Sequence, residues 1–270
     1  MKLQKGPAGL IAEIKDAVFN ILEAISQHGD LLLLNPRDIL GSVFPVLSFS
    51  MVNSQSGDTR FLSAKMLCDM VLFYISEVYG TAGSSGSEGF AERGGADELL
   101  QGQIRESILP SLPALLIDED PIPLYSLKMM VAILEYEPGL TADVADLGLL
   151  PSFVSFLSLD HPNNNVHNLR LCRMMVGTKA VPLNELLGEG IVEKAASVLS
   201  YTCENLVEAF MEPSLELCCA IIERAVKEGR GAALEVLAST CTQKIANLGK
   251  HSDVGVSELA GKCAAMLQQR

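Results

Sequence analysis

The pentapeptide Ser126-Leu127-Lys128-Met129-Met130 returns in altered form as Asn168-Leu169-Arg170-Leu171-Cys172, and this repetition decides the fold class. Both copies read as a small polar residue, Leu, a basic residue and two apolar residues. A third copy, Ser214-Leu215-Glu216-Leu217-Cys218, has Glu at the basic position, and an earlier copy is Ser63-Ala64-Lys65-Met66-Leu67. The last three copies follow one another at intervals of roughly 42 and 46 residues, which is typical of stacked structural repeats. The first interval is longer, but an inserted segment of about 16 residues accounts for the excess and leaves a spacing of roughly 47 residues.

A second pair of landmarks recurs at the same interval. Leu109-Pro110-Ser111 returns as Leu150-Pro151-Ser152, and Gly148 and Gly190 each precede two apolar residues. A unit of about 42 residues with two or three short helices is the armadillo/HEAT period. We therefore predict an all-α, armadillo/HEAT-like right-handed helical-repeat solenoid. One such unit cannot bury its own apolar face, so neighbouring units stack to form a continuous core.

Apolar residues follow a helical period along the whole chain, and no alternating strand pattern appears. The first helix carries one apolar stripe: Ile11, Ile14, Val18, Ile21, Leu22 and Ile25. Pro45 predicts a kink in the second helix, and Asp58 is the expected N-cap of the third. Later helices are predicted at about residues 104–116, 121–135, 151–157, 163–176, 190–203, 213–227, 231–247 and 253–268.

We expect residues 1–270 to form a single solenoid of five to six units with a C-terminal capping helix at about 252–269. A flexible loop is predicted at about 80–97, because Gly80–Gly95 reads GTAGSSGSEGFAERGG and nearly lacks large apolar groups. A phosphate-binding loop would instead require Gly-Lys-Ser/Thr between a strand and a helix. This segment has no such Lys and follows a predicted helix.

Charge and cysteine content narrow the partners and the compartment. The 33 acidic and 20 basic residues give a net charge of −13, which disfavours binding to nucleic acid or to anionic membranes. The longest dense apolar runs, such as Leu31–Leu34, are four residues long and predict no membrane span. Seven cysteines without a Cys-x-x-Cys pair are typical of free, buried thiols in a reduced, cytoplasmic compartment.

No set of residues predicts catalysis, so we expect a non-enzyme with no cofactor, metal or small-molecule substrate. His161 and His167 flank a turn but lack nearby Cys or acidic ligands. The acidic run Asp118-Glu119-Asp120 is interpreted as a solvated cap at a helix start. Cys218 and Cys219 lie in an apolar stripe, which favours a core position over a redox centre.

A solenoid of this kind usually binds other proteins on the concave face lined by the last helix of each unit. The candidate strip on that face comprises Lys65, Lys128, Asn168, Arg170 and Arg173. Its basic members would hold an acidic peptide or helix, and the Asn168 amide would bind an extended backbone. An equally weighted alternative is that Lys128 and Arg170 only cover apolar neighbours at a unit interface.

Three phrases extend the similarity beyond generic repeats. Residues 54–61 (SQSGDTRF), 118–127 (DEDPIPLYSL) and 164–172 (NNVHNLRLC) resemble the C-terminal armadillo/HEAT region of Fused and RUNKEL-type unc-51-like kinases. The resemblance covers roughly residues 35–230, and the kinase signatures are absent from this sequence. The chain would then correspond to the repeat tail alone, as a fragment or as a separate subunit.

The resemblance implies a scaffold on microtubule-based structures such as the central apparatus of motile cilia or the plant division apparatus. Expected partners are axonemal or kinesin-type proteins, and the expected location is cytoplasmic, at a cilium or flagellum axoneme or other cytoskeleton. The alternative is a regulatory tail that acts on a kinase domain in cis or in trans.

Overall fold

The computed structural model describes residues 7–81 and 96–268, and every regular element within these ranges is a helix. The chain divides into two compact units, Met1–Tyr136 and Glu137–Arg270. The predicted flexible loop at about 80–97 lies, for residues 82–95, outside the described residues.

The first unit is built around one long helix, α5, which packs against α1, α4 and α8. Its helices are α1 (Pro7–Ser26), α2 (Gly29–Leu34), α3 (Pro36–Asp38), α4 (Phe44–Asn53), α5 (Gly57–Thr81), α6 (Ala96–Gln103), α7 (Leu112–Leu115) and α8 (Ile122–Tyr136). Two π-helical turns, Ile39–Val43 and Ile104–Ile108, and a 3₁₀ turn, Leu109–Ser111, connect them.

The second unit has the same plan, with α14 packed against α11, α13 and α16. Its helices are α9 (Leu140–Asp146), α10 (Leu150–Ser155), α11 (Val166–Gly177), α12 (Leu183–Gly188), α13 (Ile191–Asn205), α14 (Glu208–Lys227), α15 (Glu235–Leu248) and α16 (Val254–Leu267), with a 3₁₀ turn at Gly231–Leu234. The helix expected at 253–268 is therefore present as α16.

The four copies of the pentapeptide all fall on long helices, namely α5, α8, α11 and α14. The first residue of each copy is at most 1% exposed. Where that residue is a serine, its hydroxyl donates to the carbonyl four residues earlier, as Ser63 does to Thr59 (2.8 Å) and Ser126 to Ile122 (3.0 Å). The recurring pattern thus marks a buried position in the contact between neighbouring helices, where a small residue allows the helices to approach closely.

Many of the contacts between helices join residues about one repeat apart. The Tyr74 hydroxyl donates to the Leu32 carbonyl (3.0 Å, 42 positions apart), and Lys65 donates to Glu23 (2.8 Å, 42 positions apart). In the second unit, Lys244 pairs with the Glu204 carboxylate at 2.7 Å. The repeat period of the sequence therefore becomes physical contact between successive repeats.

Local sequence signals set several helix ends. Asn165 caps α11 by accepting from the Asn168 backbone N–H (3.1 Å), so the helix begins at Val166, three residues after its predicted start. Gly148 and Gly190 have φ of 69° and 78°, a left-handed backbone that favours glycine at the hinge before a helix. The expected cap at Asp58 was wrong: α5 begins at Gly57, and the Ser56 hydroxyl accepts from the Thr59 N–H at 3.3 Å.

A π-helical turn precedes Pro45, where the sequence predicts a kink. Pro45 follows the wide turn Ile39–Val43 as the second residue of α4, and Pro110 likewise follows Ile104–Ile108. A proline ring clashes with the carbonyl four residues earlier in a regular helix. That carbonyl lies inside the wide turn in both cases, which explains how the helical path continues through the proline.

Most of the apolar stripe of α1 is exposed in the described structure. Ile11 is 67% exposed, Ile14 55% and Ile21 60%, whereas Leu22 and Ile25 nearer the end of the helix are half-buried. The helix packs on α5. Periodicity alone identified the stripe but did not determine what lies against it.

Most of the cysteines occupy the predicted core positions, and Cys203 is half-buried. Cys68, Cys172, Cys218 and Cys241 are buried free thiols, and burial raises the pKa of Cys68 and of Cys172 to about 12. Cys219 and Cys263, however, are joined by a disulfide that links α14 to α16, with Cα atoms 5.3 Å apart. The expectation that all cysteines are free was wrong for this pair.

Candidate partner-binding surface

The two lysines of the predicted strip in the first unit lie among carboxylates. Lys65 on α5 is ion-paired with Glu23 on α1 at 2.8 Å, and that hydrogen bond raises the pKa of the lysine. Lys128 on α8 is half-buried near Asp69 of α5. The pKa of Asp69 is raised by burial, and the positive charge of Lys128 opposes that shift. Both lysines therefore interact with the adjacent helix as well as with solvent.

Asn168 does not lie on the surface. Its side chain is 0% exposed, and its amide donates to the Phe153 carbonyl at the C-terminal part of α10 (3.0 Å). The Cys172 thiol donates weakly to the same carbonyl (3.6 Å). The amide that we expected to bind a partner's backbone thus connects α10 to α11 inside the second unit.

The two arginines of the strip lie one turn apart on α11 and differ in their surroundings. Arg170 is exposed to solvent. Arg173 is half-buried, and its Nε is 3.5 Å from the carboxylate of Glu216 on α14. Glu216 occupies the basic position of the next pentapeptide copy, so this ion pair connects neighbouring repeats at the motif itself.

Ion pairs between successive repeats recur in each unit. Glu223 on α14 pairs with Lys262 on α16 (3.4 Å), in addition to the Glu23–Lys65 and Arg173–Glu216 pairs. Pairs of this kind on the surface contribute little net stability. They do determine which charges remain available to a partner, since a paired lysine or arginine has its charge partly neutralised.

The second unit also contains a groove of about 800 Å³ between α11, α12 and α14. Its apolar lining includes Val176 and Leu183, and four cationic residues line it: Lys179, Arg224, Lys227 and Arg230. Two carboxylates, Glu223 and Glu228, also line it. No pattern in the sequence indicated this groove.

Arg224 forms one wall of the groove by connecting α14 to the end of α11 and to the loop that follows it. Its Nη1 donates to the carbonyls of Val176 (2.8 Å) and Thr178 (2.9 Å), and its Nη2 donates to Val181 (2.5 Å). Its Nε donates to Glu228 one turn along the helix (2.9 Å). The three acceptor residues lie 43 to 48 positions before Arg224, which is about one repeat. The sequence signal for this contact is therefore a basic side chain that lies one repeat after a loop.

The acidic run Asp118-Glu119-Asp120 of the first unit makes a contact between elements and is not only a solvated cap. Asp118 accepts two hydrogen bonds from the Arg60 guanidinium, from Nε and Nη2, each at 2.8 Å. These bonds lower the pKa of Asp118, and the Glu119 backbone N–H donates to the same carboxylate. The run thus connects α5 to the start of α8 in addition to its place at a helix start.

The histidines considered for a metal have structural contacts. The His161 ring stacks on Phe156 with centroids 4.5 Å apart, and its Nδ1 accepts from the Asn163 N–H (3.1 Å). Within residues 7–81 and 96–268, no three His, Cys, Asp or Glu side chains cluster in a way that could hold a metal ion. In the same ranges, no helix combines the length and apolar character needed to cross a bilayer.

Solved structures with the same architecture include a designed repeat protein. A designed armadillo repeat protein matches with a TM-score of 0.63 and 12% identity, covering 93% of this chain and 92% of its own. The crystal structure of an engineered protein matches with a TM-score of 0.63 and 14% identity, covering 96% and 93%. The helices and their surface therefore define an all-helical armadillo/HEAT-repeat solenoid.

Two family models narrow the class further. The model for the HEAT repeats of ULK4-like serine/threonine-protein kinases matches residues 3–142, and the RUNKEL ARM-repeat domain model matches residues 149–268. The chain belongs to this family of kinase-associated HEAT/ARM-repeat regions. Both models describe repeats and not a kinase domain.

The curated relatives are much longer kinases. Serine/threonine-protein kinase RUNKEL of Arabidopsis thaliana is 22% identical over 94% of this chain and 20% of its own length. Serine/threonine-protein kinase ULK4 of Mus musculus is 25% identical over 73% of this chain and 15% of its own length. The chain thus spans at most about a fifth of the length of these two relatives.

Proposed function

We propose that this chain is a non-enzymatic protein-binding scaffold of a microtubule-associated assembly, such as a ciliary or axonemal complex. The observation that carries the protein-binding role is the exposed cationic surface on repeat helices of an otherwise acidic chain, with Arg170 on α11 and the groove beside α14. The microtubule-associated setting is supported by the resemblance to Fused and RUNKEL-type repeat tails. The cytoplasm and its cytoskeleton are the matching location.

Each unit has a basic residue at the equivalent motif position, Lys128 in the first unit and Arg170 in the second, and both are proposed partner contacts. Axonemal or kinesin-type proteins with acidic segments are the partners we propose. A chain of net charge −13 is repelled by an acidic protein surface such as that of tubulin, so contact with microtubules runs through such partners. Co-sedimentation with bare microtubules is expected to be weak, and tight binding that resists salt would contradict indirect attachment.

The test is affinity capture from a ciliated-cell extract followed by mass spectrometry. The native chain is compared with the Lys128→Glu/Arg170→Glu double variant, which reverses the charge of the half-buried Lys128 and of the exposed Arg170. Circular dichroism of the variant checks that it keeps the native fold. We expect the native chain to recover axonemal or kinesin-type proteins and the double variant to lose them. Equal recovery by both would place the binding surface elsewhere, and recovery of no cytoskeletal protein would overturn the microtubule-associated setting.

A second candidate function is regulation of a kinase domain in cis or in trans. It is favoured by one observation: both curated relatives are named as serine/threonine-protein kinases, and the matching family models describe repeats of such kinases. The test is to sequence full-length transcripts for a kinase domain upstream of Met1 and to measure that domain's activity with and without this chain. Unchanged kinase activity would contradict this second function, and the lack of an upstream kinase domain would exclude regulation in cis.

A further inference from the structure

Three of the cations that line the groove between α11, α12 and α14 take no part in the ion pairs between repeats that the structure describes. Lys179, Lys227 and Arg230 are exposed, and none has an ion-pair partner among the residues that the structure describes. Both carboxylates of the groove are already engaged, since Glu223 pairs with Lys262 (3.4 Å) and Glu228 with Arg224 (2.9 Å). The groove is therefore a local positive surface on a chain of net charge −13.

The shape of the groove is fixed before any partner arrives. Arg224 donates to the Val176 carbonyl at the end of α11 and to two carbonyls of the segment that follows, which holds that segment against α14. The side chain of Arg224 is only 13% exposed, so its charge supports the wall while the other three cations face solvent. A preformed wall reduces the ordering cost of binding.

The lining combines these cations with an apolar floor. Val176 (1% exposed) and Leu183 (4% exposed) lie under the groove, and Ala220 on α14 leaves space between the helices. Cations around a small apolar floor match a segment that alternates carboxylates with an aliphatic side chain. Nucleic acid is a poorer match, because the rest of the chain repels a phosphate backbone.

We propose that this groove is the binding site for an acidic peptide segment of a partner protein, with carboxylates at Lys179, Lys227 and Arg230 and an aliphatic residue over Leu183. The proposal rests on the protein-binding role proposed above and names the chemistry of the segment that is recognised. The complementary charges accelerate encounter and fix the register of the segment.

The probe is a phage-displayed library of random peptides, selected against the whole native chain. We expect the enriched peptides to be acidic with at least one aliphatic residue, and their affinity to fall as salt is raised. Fluorescence anisotropy then compares the native chain with Lys227→Glu/Arg230→Glu. We expect the Kd of this variant for an acidic peptide to be at least about tenfold higher, because two cations are replaced by negative charges that repel the peptide's carboxylates.

The matched control is Arg37→Glu/Lys250→Glu, which changes the net charge by the same amount at exposed positions outside the groove. Its Kd should stay within about twofold of the native value. An equal loss of affinity in both variants would mean that only net charge matters and would overturn the proposed binding site. The proposal is also wrong if the selected peptides are neutral or basic or if none is enriched. Displacement of the peptides by inorganic phosphate at a concentration similar to that of the peptides would likewise contradict it.

Failure of the groove and failure of the scaffold are distinguishable. If the groove variant still captures partners from extract as the native chain does, the scaffold role stands and the acidic-segment site is wrong. If the native chain captures no protein and also selects no peptide, both proposals fall.

Discussion

At the scale of single residues, the same motif position has a different role from repeat to repeat. Ser63, Ser126 and Ser214 satisfy their buried hydroxyls within their own helices, whereas Asn168 reaches across to another helix. A motif that recurs in the sequence therefore identifies a buried register. It does not reveal which hydrogen bond each side chain makes, because that depends on the carbonyl it faces.

Replacement of Asn168 by Ala is expected to destabilise the second unit by about 1–3 kcal/mol, because the buried Phe153 carbonyl loses its main donor. Urea unfolding followed by circular dichroism measures the change. The matched control is Asn184→Ala, the same substitution at an exposed position, which should cost less than about 0.5 kcal/mol. Equal effects of the two variants would contradict the buried role of Asn168.

Thiol chemistry separates the cysteines by burial. Cys203 is the one free cysteine that is not fully buried, so we expect N-ethylmaleimide to modify it first in the native chain and the Cys203→Ser variant to lose this fast phase. Burial raises the pKa of the Cys218 thiol, and it also raises the pKa of Cys241, to about 11. Both shifts slow the reaction of these thiols further. Rapid modification of several cysteines in the native chain would disagree with this packing.

A second thiol count tests the Cys219–Cys263 bond. Without reductant, denatured protein should expose five reactive thiols of the seven cysteines, and all seven after reduction. Seven thiols without reductant would show that the two cysteines are free, as expected from the sequence. The pairing was missed because the residues are 44 positions apart and share no motif, although that separation is itself about one repeat.

At the scale of the elements, the Arg60–Asp118 pair connects α5 to the segment before α8. Because the Arg60 hydrogen bonds lower the pKa of Asp118, the pair stabilises the folded chain above the carboxyl's unfolded pKa of about 3.9. This contribution is lost as the pH falls through the lower folded pKa. The direction follows from the carboxylate, and not the acid, being the form that accepts both bonds.

We therefore expect Asp118→Asn to lower the thermal unfolding midpoint at pH 7 by several degrees, and the difference from the native chain to shrink as the pH falls below about 4. Thermal scans at pH 7 and pH 3 measure it. Asp16→Asn, an exposed carboxylate on α1, is the control and should change neither midpoint. A difference that grows toward pH 3 would contradict the assignment.

The apolar stripe of α1 makes a contrasting prediction. Ile14 and Ile21 are 55% and 60% exposed, so Ile14→Gln/Ile21→Gln should leave the free energy of unfolding within about 0.5 kcal/mol of the native value. Leu47 on α4 is fully buried, and Leu47→Ala should cost about 2–5 kcal/mol. Chemical denaturation measures both, and a large loss in the α1 variant would mean that the stripe is covered in solution.

The helices themselves were predictable because their signals are local. The spacing of apolar residues and the two glycines with positive φ act within a few residues of their own position. The cap of α5 was misplaced within its turn because Ser56 and Asp58 are both good capping residues. Side-chain preference alone does not choose between them.

At the scale of the whole chain, the repeat period was read correctly from four pentapeptides and explains the contacts that join successive repeats. The groove was not predicted, since it depends on Arg224 reaching carbonyls of a loop in the preceding repeat. The candidate strip was predicted by analogy between repeats, and the structure distributes its members among buried, paired and exposed positions. Local sequence patterns do not encode which residues of different repeats contact one another.

The central claim is that this repeat chain binds proteins through the basic residues of its repeat helices and of the groove beside α14. Lysine footprinting of the native chain, free and bound to a partner captured from extract, tests this claim. Acetylation rates are read for each lysine by mass spectrometry. We predict that the partner slows acetylation of Lys128, Lys179 and Lys227 and leaves Lys250, which follows α15, unchanged. Protection of Lys250, with Lys128, Lys179 and Lys227 reacting as in the free chain, would contradict this claim.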